Sequence, residues 1–594
     1  MLKNILNKIQ NHRLYPLLVF IILIGISIVQ YYGLEIAYRR ELDNIIMLPL
    51  IYQFAGILVV LAVNIAIVFI VKKLKIATLI SVAIMTIFAI VNHYVTILHG
   101  TPFNILLVKN MGTALNVLSN YDIKIDIQVI GILLLFVVQV IVILIVFGKT
   151  ELKRKFTIAM LVPVMCLACV FYVTDNSVIP KNAVSWSWSV SIDKYGYTPC
   201  FVNDFIKSMS IPPKPENYDE TSLKEYVEQY QNTVEGTSTP DIIFILNETF
   251  YDLNQITDIN ADVDYMEYLN TLENAVTGYA VVPNAGGGTN RSEYELLTSN
   301  SLATNAGVTP FNDLDINNTN SIITYLKSKG YSTLGAHPYS KQNYRRSTAY
   351  PGLGFDYVYF DESFTDTEYY YNRHYVTDES VYKNMLKWYE EMPEGPRFMY
   401  MLTIQNHAAY NHDEPEHDIV HTLNDYGEQT EEINEYLTSI YVSASAFETL
   451  VNYYKNSNRD VIICMVGDHA PAFAKEYIDE KYSELEGELR IRSTPYVIWS
   501  NNIDLSGEYD LTSINYLVPI TLKMAGMDLS GYYEYLINLN NDIPVVSGYG
   551  SYLTNDGRYY SYDDNTEYKD VLDRYFNLCY ANMKNKEFMK EFCN

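Results

Sequence analysis

Four short polar motifs, far apart in the chain, carry side chains that can bind a metal ion or a phosphate. They stand at residues 247–250 (Asn-Glu-Thr-Phe), 286–290 (Gly-Gly-Gly-Thr-Asn), 337–346 (a histidine first and an arginine last) and 467–470 (Gly-Asp-His-Ala). The first and the last follow short apolar runs that are typical of buried strands. Ligands of open α/β folds bind where strands end, so we expect these motifs to meet at one site.

Two of the motifs offer donor atoms for a divalent cation. Glu248 follows the first apolar run, and the neighbours Asp468 and His469 follow the last. Ionised carboxylates and neutral imidazoles are good ligands for zinc or manganese. Taken singly, Glu248 also fits a solvated loop acid, and Asp468 and His469 also fit a structural hydrogen bond at a strand end.

The glycine-rich motif offers a nucleophile. Three glycines at 286–288 precede Thr289, and Ser292-x-x-Glu295 then opens an apolar-periodic stretch that predicts the N-terminus of a helix. Glycine-rich loops and helix N-termini bind phosphate through backbone N–H groups. A threonine hydroxyl is a weak nucleophile that a bound metal can activate, so Thr289 is a candidate nucleophile if a metal binds. Without a metal, the motif is an ordinary loop.

Four further side chains are candidate phosphate or substrate ligands: His337, Tyr344, Arg346 and His407. A guanidinium can hold a phosphate through two parallel hydrogen bonds. His407 follows another apolar run, where an imidazole can bind phosphate or assist proton transfer. Each of these residues alone also fits an exposed polar position, but their shared location at strand ends favours a common pocket.

The elements that would position these residues form an α/β domain after about residue 240. Apolar, strand-like runs alternate with helical patterns; the runs lie at 241–246, 332–336, 398–404, 460–466 and 494–499, and the helical patterns at 321–328, 380–389 and 439–455. This alternation predicts a mostly parallel sheet covered by helices on both faces. The tail beyond Gly531 retains apolar clusters, which predict a folded extension, and the sequence permits a Cys579–Cys593 disulfide within it.

The first 175 residues differ from the rest because they hold five long apolar runs, at about 14–30, 46–71, 76–91, 127–147 and 156–173. About 20 apolar residues cross a bilayer as a helix, so the sequence predicts five transmembrane helices rather than one cleaved signal peptide. We therefore divide the chain into a membrane domain (1–175), a connector (176–239) and the α/β domain (240–594).

Charge predicts the orientation of these helices. Basic residues cluster before the first run (Lys3, Lys8 and Arg13), after the second (72–75) and after the fourth (149–155), and the positive-inside rule assigns these segments to the cytoplasm. Five crossings then leave the α/β domain outside the plasma membrane. Residues 176–594 contain 28 of the 42 Lys and Arg and 62 of the 69 Asp and Glu. Their net charge of −34 argues against a nucleic-acid partner.

Five motifs in this order resemble the lipoteichoic acid synthase family. They are Asn-Glu-Thr-Phe-Tyr-Asp at 247–252, Gly-Gly-Gly-Thr-Asn-Arg-Ser-Glu at 286–293, His-Pro at 337–338 followed by Tyr344-x-Arg346, Gln-Asn-His at 405–407 and Val-Gly-Asp-His-Ala at 466–470. The family comprises phosphoglycerol transferases of the alkaline phosphatase and sulfatase superfamily, with five membrane crossings before an exterior catalytic domain. The resemblance therefore covers nearly the whole chain.

The resemblance implies a role for each motif. The expected metal ligands are Glu248, Thr289, Asp468 and His469. The expected substrate ligands are His337, Tyr344, Arg346 and His407. Thr289 is also the expected nucleophile, and the expected metal is manganese, with magnesium or zinc as alternatives. Arg345 replaces a common asparagine and Tyr344 replaces the tryptophan of some members, which leaves the headgroup and the acceptor open.

The implied reaction has two steps. Thr289 takes glycerophosphate from phosphatidylglycerol and releases diacylglycerol; the phospho-threonine then passes the group to a glycerol-phosphate polymer or a glycolipid, as in lipoteichoic acid synthesis in Gram-positive bacteria. Two alternatives are a phosphoethanolamine transferase acting on a surface glycan and a catalytically inactive membrane sensor or scaffold. A sulfatase would be expected to carry a Cys-x-Pro-x-Arg or Ser-x-Pro-x-Arg motif. The sequence lacks both, which argues against sulfatase activity.

Overall fold

The computed structural model describes most of the chain. It covers residues 15–38, 48–99, 125–147, 153–172, 188–210, 212–230, 236, 238–305, 308–371, 373–410, 415–505, 507, 509–546 and 550–593. The predicted cytoplasmic residues Lys3, Lys8, Arg13 and Lys149 lie outside these ranges. The chain divides into two compact units, Met1–Ile211 and Pro212–Asn594.

Five long helices dominate the described part of the first unit, as the apolar runs predict. They are α1 (Tyr15–Tyr38), α2 (Leu50–Val71), α3 (Leu74–His99), α4 (Ile127–Val146) and α5 (Arg154–Tyr172). Each contains a stretch of at least 19 residues that is long and apolar enough to cross a membrane. Large apolar side chains such as Ile70, Ile87 and Leu134 are exposed on these helices, as contact with lipid requires.

Polar side chains inside this helix bundle hydrogen-bond one another between helices. Asn64 of α2 donates to Ser27 Oγ and to Gln30 Oε1 of α1, both at 2.7 Å, and Ser81 of α3 donates to Asn64. Buried polar groups in a membrane helix pair with groups on neighbouring helices because hydrocarbon offers them no partner. These bonds therefore fix how α1, α2 and α3 pack together.

Two shorter helices also belong to the first unit, α6 (Trp188–Tyr195) and α7 (Tyr197–Ser210), within the segment that the sequence assigns to the connector. The buried Glu35 carboxylate of α1 accepts hydrogen bonds from the backbone N–H groups of Tyr197 (2.9 Å) and Thr198 (3.3 Å). The first N–H groups of a helix have no partner within it, so Glu35 caps α7 and ties it to α1.

The described part of the second unit contains two sheets. Their strands are β1 (Asp241–Asn247), β2 (Ala275–Val281), β3 (Ser332–Ala336), β4 (Tyr357–Tyr359), β5 (Arg397–Leu402), β6 (Val461–Gly467), β7 (Ser493–Ser500), β8 (Leu511–Ser513), β9 (Val545–Val546), β10 (Ser551–Leu553) and β11 (Tyr559–Ser561). The larger sheet has eight strands in the order β4-β3-β5-β1-β6-β7-β2-β8.

The larger sheet is mostly parallel, as predicted. Strands β4, β3, β5, β1 and β6 run parallel to one another. Strand β7 is antiparallel to both of its neighbours, β6 and β2, while β8 is parallel to β2. The five predicted strand runs form β1, β3, β5, β6 and β7, whereas the sequence does not predict β2, β4 and β8.

Helices and turns of the second unit surround the strands. They are α8 (Glu220–Val227), α9 (Glu267–Asn270), α10 (Thr289–Thr298), α11 (Pro310–Asp313), α12 (Ile322–Ser328), α13 (Arg346–Leu353), α14 (Asp378–Glu391), α15 (Thr430–Tyr454), α16 (Glu484–Arg490), α17 (Leu517–Met524), α18 (Gly531–Asp542), α19 (Lys569–Lys584) and α20 (Lys586–Cys593). The predicted helical patterns at 321–328, 380–389 and 439–455 correspond to α12, α14 and α15.

Both faces of the larger sheet are covered. Successive side chains of a strand point to opposite faces, so each strand buries residues on both sides. On one face, Ile243 and Met399 share a core cluster with Met385 of α14 and Phe447 of α15. On the other face, the ring of Phe398 stacks on Phe355, which follows α13, with ring centroids 6.2 Å apart. The strands are therefore buried from both sides, which explains their continuously apolar sequences.

The tail beyond Gly531 is folded, as predicted. It contains α18, the small antiparallel sheet β11-β10-β9, and the helices α19 and α20. Cys579 and Cys593 are buried in these last two helices as free thiols. The disulfide that the sequence permits is therefore not formed.

Candidate active site

Two neighbouring strands bring Glu248 and Asp468 together. Strands β1 and β6 pair in parallel with Asn247 opposite Gly467, so the next residue of each strand leaves the sheet at the same level. Glycine is required at position 467, because a Cβ there would lie 1.9 Å from the Phe250 carbonyl oxygen. The close approach of these two backbones places the carboxylates of Glu248 and Asp468 side by side.

Glu248, Asp468 and His469 form a buried cluster that fits a metal ion. Ligand atoms of the three residues all lie within 4.8 Å of one another. His469 Nε2 is 3.2 Å from Asp468 Oδ2 and 3.5 Å from Glu248 Oε1. Asp468 Oδ2 is buried without a hydrogen-bond partner, an arrangement that is costly unless a cation satisfies it. Two carboxylates and an imidazole suit a divalent cation such as manganese, magnesium or zinc.

Burial and charge shift the acid–base behaviour of this cluster. Burial, followed by the adjacent Glu248 carboxylate, raises the pKa of Asp468 to about 7. Burial by itself lowers the pKa of His469, but the Asp468 and Glu248 carboxylates outweigh it and hold that pKa above its ordinary value. Both shifts have the sign expected of a site that concentrates negative charge for a cation.

Thr289 lies at the start of α10, beside this cluster. Gly287 and Gly288 precede it with φ angles of 63° and 77°, in the left-handed region that glycine adopts without strain. The Thr289 hydroxyl donates to Glu248 Oε2 at 3.3 Å. The structure thus brings all four predicted metal-site residues together, with the hydroxyl at the positive end of a helix dipole.

Helix α10 begins at Thr289, before the Ser292-x-x-Glu295 motif that opens the predicted helical stretch. Because α10 begins at Thr289, Ser292 lies inside the helix, and its hydroxyl donates to the Asp468 backbone carbonyl at 2.6 Å. Glu295 accepts a hydrogen bond from the Leu302 backbone N–H. Ser292 therefore ties α10 to the loop that follows β6.

His337 reaches the same end of the sheet in a buried position after β3. Its Nδ1 lies 3.2 Å from the Leu402 carbonyl oxygen. Burial, followed by the charge of nearby Arg346, lowers the pKa of His337 well below its ordinary value. The ring is therefore neutral, with its proton on Nδ1 facing the carbonyl and Nε2 left as a hydrogen-bond acceptor.

Arg346 is paired with Glu293 of α10, a residue of the 286–293 motif to which sequence analysis assigns no role. Arg346 Nε and Nη2 donate to Glu293 Oε2 at 2.9 and 2.5 Å, and Tyr350 donates to the other oxygen of Glu293 at 2.7 Å. This guanidinium edge is therefore unavailable for the predicted two-point grip on a phosphate, whereas Nη1 makes none of these bonds. The guanidinium lies over the Tyr344 ring, 5.1 Å from its centroid. Glu293 follows Thr289 by one helical turn, a spacing that could have identified it.

His407 lies on an exposed loop after β5. Two residues that sequence analysis does not identify, Arg373 and Glu435, hold this loop in place. Arg373 Nη1 donates to the His407 carbonyl oxygen at 3.0 Å, and Arg373 itself forms a buried ion pair with Glu435 of α15 at 3.1 Å. The Tyr375 hydroxyl lies 3.2 Å from His407 Nδ1. No local pattern marks Arg373 and Glu435, because the first lies in a tyrosine-rich stretch and the second in a polar turn of a long helix.

Comparison with known families agrees with this architecture. Residues 240–527 match the family described as Sulfatase, and the match includes all eight predicted site residues. This match covers just under half of the chain. It places residues 240–527 in the alkaline phosphatase and sulfatase superfamily, to which the resemblance noted in the sequence also points.

The sulfatase-family fold is shared with a solved structure, that of the phosphoglycerol transferase GacH of Streptococcus pyogenes in complex with sn-glycerol-1-phosphate. The TM-score is 0.53 at 19% sequence identity, and the match covers 64% of this chain and 98% of that one. At this identity the likeness concerns the fold.

Two curated relatives match parts of the chain. A candidate cyclic beta-1,2-glucan modification protein of Rhizobium meliloti (strain 1021) is 25% identical over 321 residues, which is 52% of this chain and 49% of that protein. Lipoteichoic acid synthase 2 of Bacillus subtilis (strain 168) is 26% identical over 181 residues, which is 30% of this chain and 27% of that protein. The chain therefore spans about half of the first relative's length and about a quarter of the second's.

Proposed function

We propose that the chain is a membrane-bound, metal-dependent phosphotransferase that moves glycerophosphate from phosphatidylglycerol to an acceptor hydroxyl. One observation carries the proposal: the Thr289 hydroxyl, at the start of a helix, lies 3.3 Å from Glu248 within a buried cluster of metal-type ligands. A hydroxyl in this position can attack a phosphorus atom held next to a cation.

In the first step, the Thr289 oxygen attacks the phosphorus of the lipid and the bond to the diacylglycerol oxygen breaks. The threonine proton ends on the released diacylglycerol. Backbone N–H groups at the start of α10 would stabilise the charge that develops on the phosphoryl oxygens. A divalent cation held by Glu248, Thr289, Asp468 and His469, for which we propose manganese, would make the hydroxyl more acidic and offset the phosphate charge.

The predicted substrate ligands orient the headgroup in this proposal. His337 offers Nε2 as a hydrogen-bond acceptor for a glycerol hydroxyl, and Arg346 offers Nη1 to a phosphoryl oxygen. The Tyr344 ring packs against the Arg346 guanidinium, and His407 is exposed to solvent. Together they would bind the glycerophosphate headgroup and leave the acceptor side open to solvent.

In the second step, an acceptor hydroxyl attacks the phosphorus of the glycerophospho-threonine. The bond to the Thr289 oxygen breaks, and the acceptor's proton returns to that oxygen. We propose a glycerol-phosphate polymer or a glycolipid as the acceptor, as in lipoteichoic acid synthesis. The name of the Bacillus subtilis relative supports the first acceptor, and that of the Rhizobium meliloti relative supports a glycan.

The five apolar helices would hold the catalytic domain at the plasma membrane that contains its donor lipid. Donor and enzyme would then meet by diffusion in two dimensions. The clusters of basic residues support a cytoplasmic N-terminus and an extracellular catalytic domain, in a bacterium of the Gram-positive type.

Replacing Thr289 with Ala tests the covalent route. We expect the full chain, reconstituted in vesicles with glycerol-labelled phosphatidylglycerol, to lose transfer roughly a thousandfold or more, because the nucleophile is gone. The matched control is Thr298→Ala in the same helix, whose hydroxyl donates to the Tyr294 carbonyl at 2.6 Å. This control should keep its activity, and both variants should remain folded.

The same assay decides between the alternatives. Retained turnover by Thr289→Ala refutes the phospho-threonine intermediate. Transfer from ethanolamine-labelled lipid, with none from phosphatidylglycerol, replaces the proposed headgroup with phosphoethanolamine. A protein that transfers neither headgroup and binds no stoichiometric manganese, magnesium or zinc is a membrane sensor or scaffold.

A further inference from the structure

Four aromatic rings form a row that begins at the buried His337 of the candidate site, and we call it the aromatic row. It runs from His337 to Tyr339, Tyr375 and His407, with ring centroids 6.3, 5.8 and 5.3 Å apart at successive steps. The row therefore joins two predicted substrate ligands through two tyrosines that neither the motifs nor the proposed reaction uses.

The two tyrosines are partly exposed to solvent. Tyr339 has 39% of its surface exposed and Tyr375 is half-buried, whereas His337 at the inner end of the row is 2% exposed. Tyr339 follows β3 by three residues, so it lies beyond the strand ends where the metal-type cluster is found. An aromatic surface that extends from a buried histidine to solvent can bind the part of a substrate that remains outside the site.

The outer part of the aromatic row is held rigidly. The Tyr375 hydroxyl donates to the Ala408 carbonyl oxygen at 3.2 Å, and residues 369 and 376 pair as an isolated antiparallel bridge that supports this segment. Arg373 lies between them, paired with Glu435 and bonded to the loop that carries His407. A rigid surface loses little conformational freedom when a ligand binds, which favours a binding role.

The charges around the aromatic row favour a neutral ligand. Three cations near it are already paired with carboxylates: Lys341 with Glu362, Arg346 with Glu293, and Arg373 with Glu435. Residues 176–594 carry a net charge of −34, which repels a polyanion. Beyond the Nη1 edge of Arg346, a glycerol-phosphate polymer would therefore meet few available positive charges here, while a neutral glycan meets no repulsion.

Sugar rings complement this surface chemically. One face of a pyranose ring presents C–H groups with a small positive charge, and the face of a tyrosine ring is negative, so the two pack together. Phenol hydroxyls such as that of Tyr339 can at the same time hydrogen-bond to the hydroxyl groups around the sugar ring.

We propose that Tyr339 and Tyr375 bind a sugar ring of a neutral glycan and thereby present its hydroxyl to the phospho-threonine. This inference rests on the proposed function and narrows its acceptor. The sugar hydroxyl oxygen attacks the phosphorus, the bond between phosphorus and the Thr289 oxygen breaks, and the sugar proton ends on Thr289. The product is a glycan that carries glycerophosphate.

The test measures acceptor kinetics of the full chain in phosphatidylglycerol vesicles. The acceptors are neutral hexasaccharides of glucose, galactose or rhamnose and a glycerol-phosphate hexamer of matched length. We expect at least one neutral hexasaccharide to be the better acceptor, and Tyr339→Ala to raise its KM about tenfold or more. Tyr339→Phe retains the ring and should change KM little. The control Tyr357→Ala replaces a tyrosine of similar exposure (37%) at the opposite end of the neighbouring strand.

Two outcomes overturn the inference: the glycerol-phosphate hexamer is the better acceptor, or Tyr339→Ala raises the KM for phosphatidylglycerol instead of that for the saccharide. Calorimetric titration of the saccharides into Thr289→Ala protein separates this inference from the proposed function, because binding needs no turnover. Binding that requires Tyr339, without any transfer by the unmodified chain, refutes the proposed reaction alone. Absent binding, or binding that does not require Tyr339, refutes the aromatic site.

Discussion

At the scale of single residues, the candidate site depends on contacts between residues that are distant in the sequence. Strand ends and donor atoms are visible locally, so the sequence predicts Glu248, Asp468 and His469 as one cluster, and the structure brings them within 4.8 Å of one another. The pairing of Arg346 with Glu293 is not predictable in this way. It depends on how α10 packs against the segment after β3, and the local sequence periodicity does not predict that packing.

Glu295, on the helix that carries Thr289, should make stability depend on pH. Burial raises its pKa to about 7 from an ordinary value of 4.5, despite the opposing charge of Arg291 and the hydrogen bond from Leu302. The folded state thus keeps a proton that the unfolded state releases near pH 4.5, so stability should fall as pH rises from about 4.5 to about 7 and then level off. The total loss of unfolding free energy is about 3 kcal/mol at most.

The variant Glu295→Gln should make this slope shallower and be more stable than the unmodified chain at neutral pH. The remaining slope comes from other buried carboxyls with raised pKa values, such as Asp468 and Asp378. The slope is measured by thermal unfolding of the full chain in detergent micelles at several pH values between 5 and 7. Glu267→Gln, which changes an exposed glutamate, is the control and should keep the slope. A Glu295→Gln protein with the same pH dependence as the unmodified chain would contradict the assignment.

At the scale of elements, the sequence predicts the buried centre of the sheet better than its margins. Strands β1, β5 and β6 read as continuous apolar runs because helices cover them on both sides. Strand β2 is partly exposed and contains Gly278, and β4 and β8 have only three residues each, so their pairing partners rather than their own sequences make them strands. Helix α15 begins at Thr430 rather than at the predicted residue 439. Its first turn is polar, so the apolar periodicity that predicts the helix does not reach its start.

The contact between α1 and α7 supports a prediction at this scale. Glu35→Ala removes the carboxylate that caps α7, leaving the N–H groups of Tyr197 and Thr198 without it. We expect α6 and α7 to open more often, with trypsin cleaving after the exposed Lys194 roughly tenfold faster. Glu35→Gln keeps one acceptor oxygen and should give an intermediate rate. Equal cleavage rates in all three proteins would show that this cap does not hold α7.

At the scale of the whole molecule, composition separates two environments. Residues 1–175 contain 14 Lys and Arg against 7 Asp and Glu, together with five helices whose lengths match a bilayer, whereas residues 176–594 are strongly acidic. The number of membrane helices is predictable because bilayer thickness fixes the length of each. The place of α6 and α7 in the first unit is not predictable, because their contact with Glu35 joins residues 162 positions apart.

The charge of the second unit predicts how salt affects the proposed reaction. An acidic domain working on an anionic lipid is repelled by its own substrate surface, and salt screens this repulsion. Raising NaCl from about 10 to about 150 mM shortens the screening length from about 30 to about 8 Å, so the KM for phosphatidylglycerol vesicles should fall. Vesicles diluted with neutral lipid are the control and should show a weaker effect. A KM that rises with salt would mean that attraction, not repulsion, governs the encounter.

The register of β1 against β6 determines which insertions and deletions a lineage of such proteins can accept. The spacing between the two carboxylates is set by one rung of paired backbone, Asn247 opposite Gly467, and not by any loop. Loops elsewhere can therefore lengthen, and under the proposed function the range of acceptors can change with them, while the geometry of the candidate metal site is preserved. A single residue gained or lost inside either strand would instead turn one carboxylate to the opposite face and abolish the site at once.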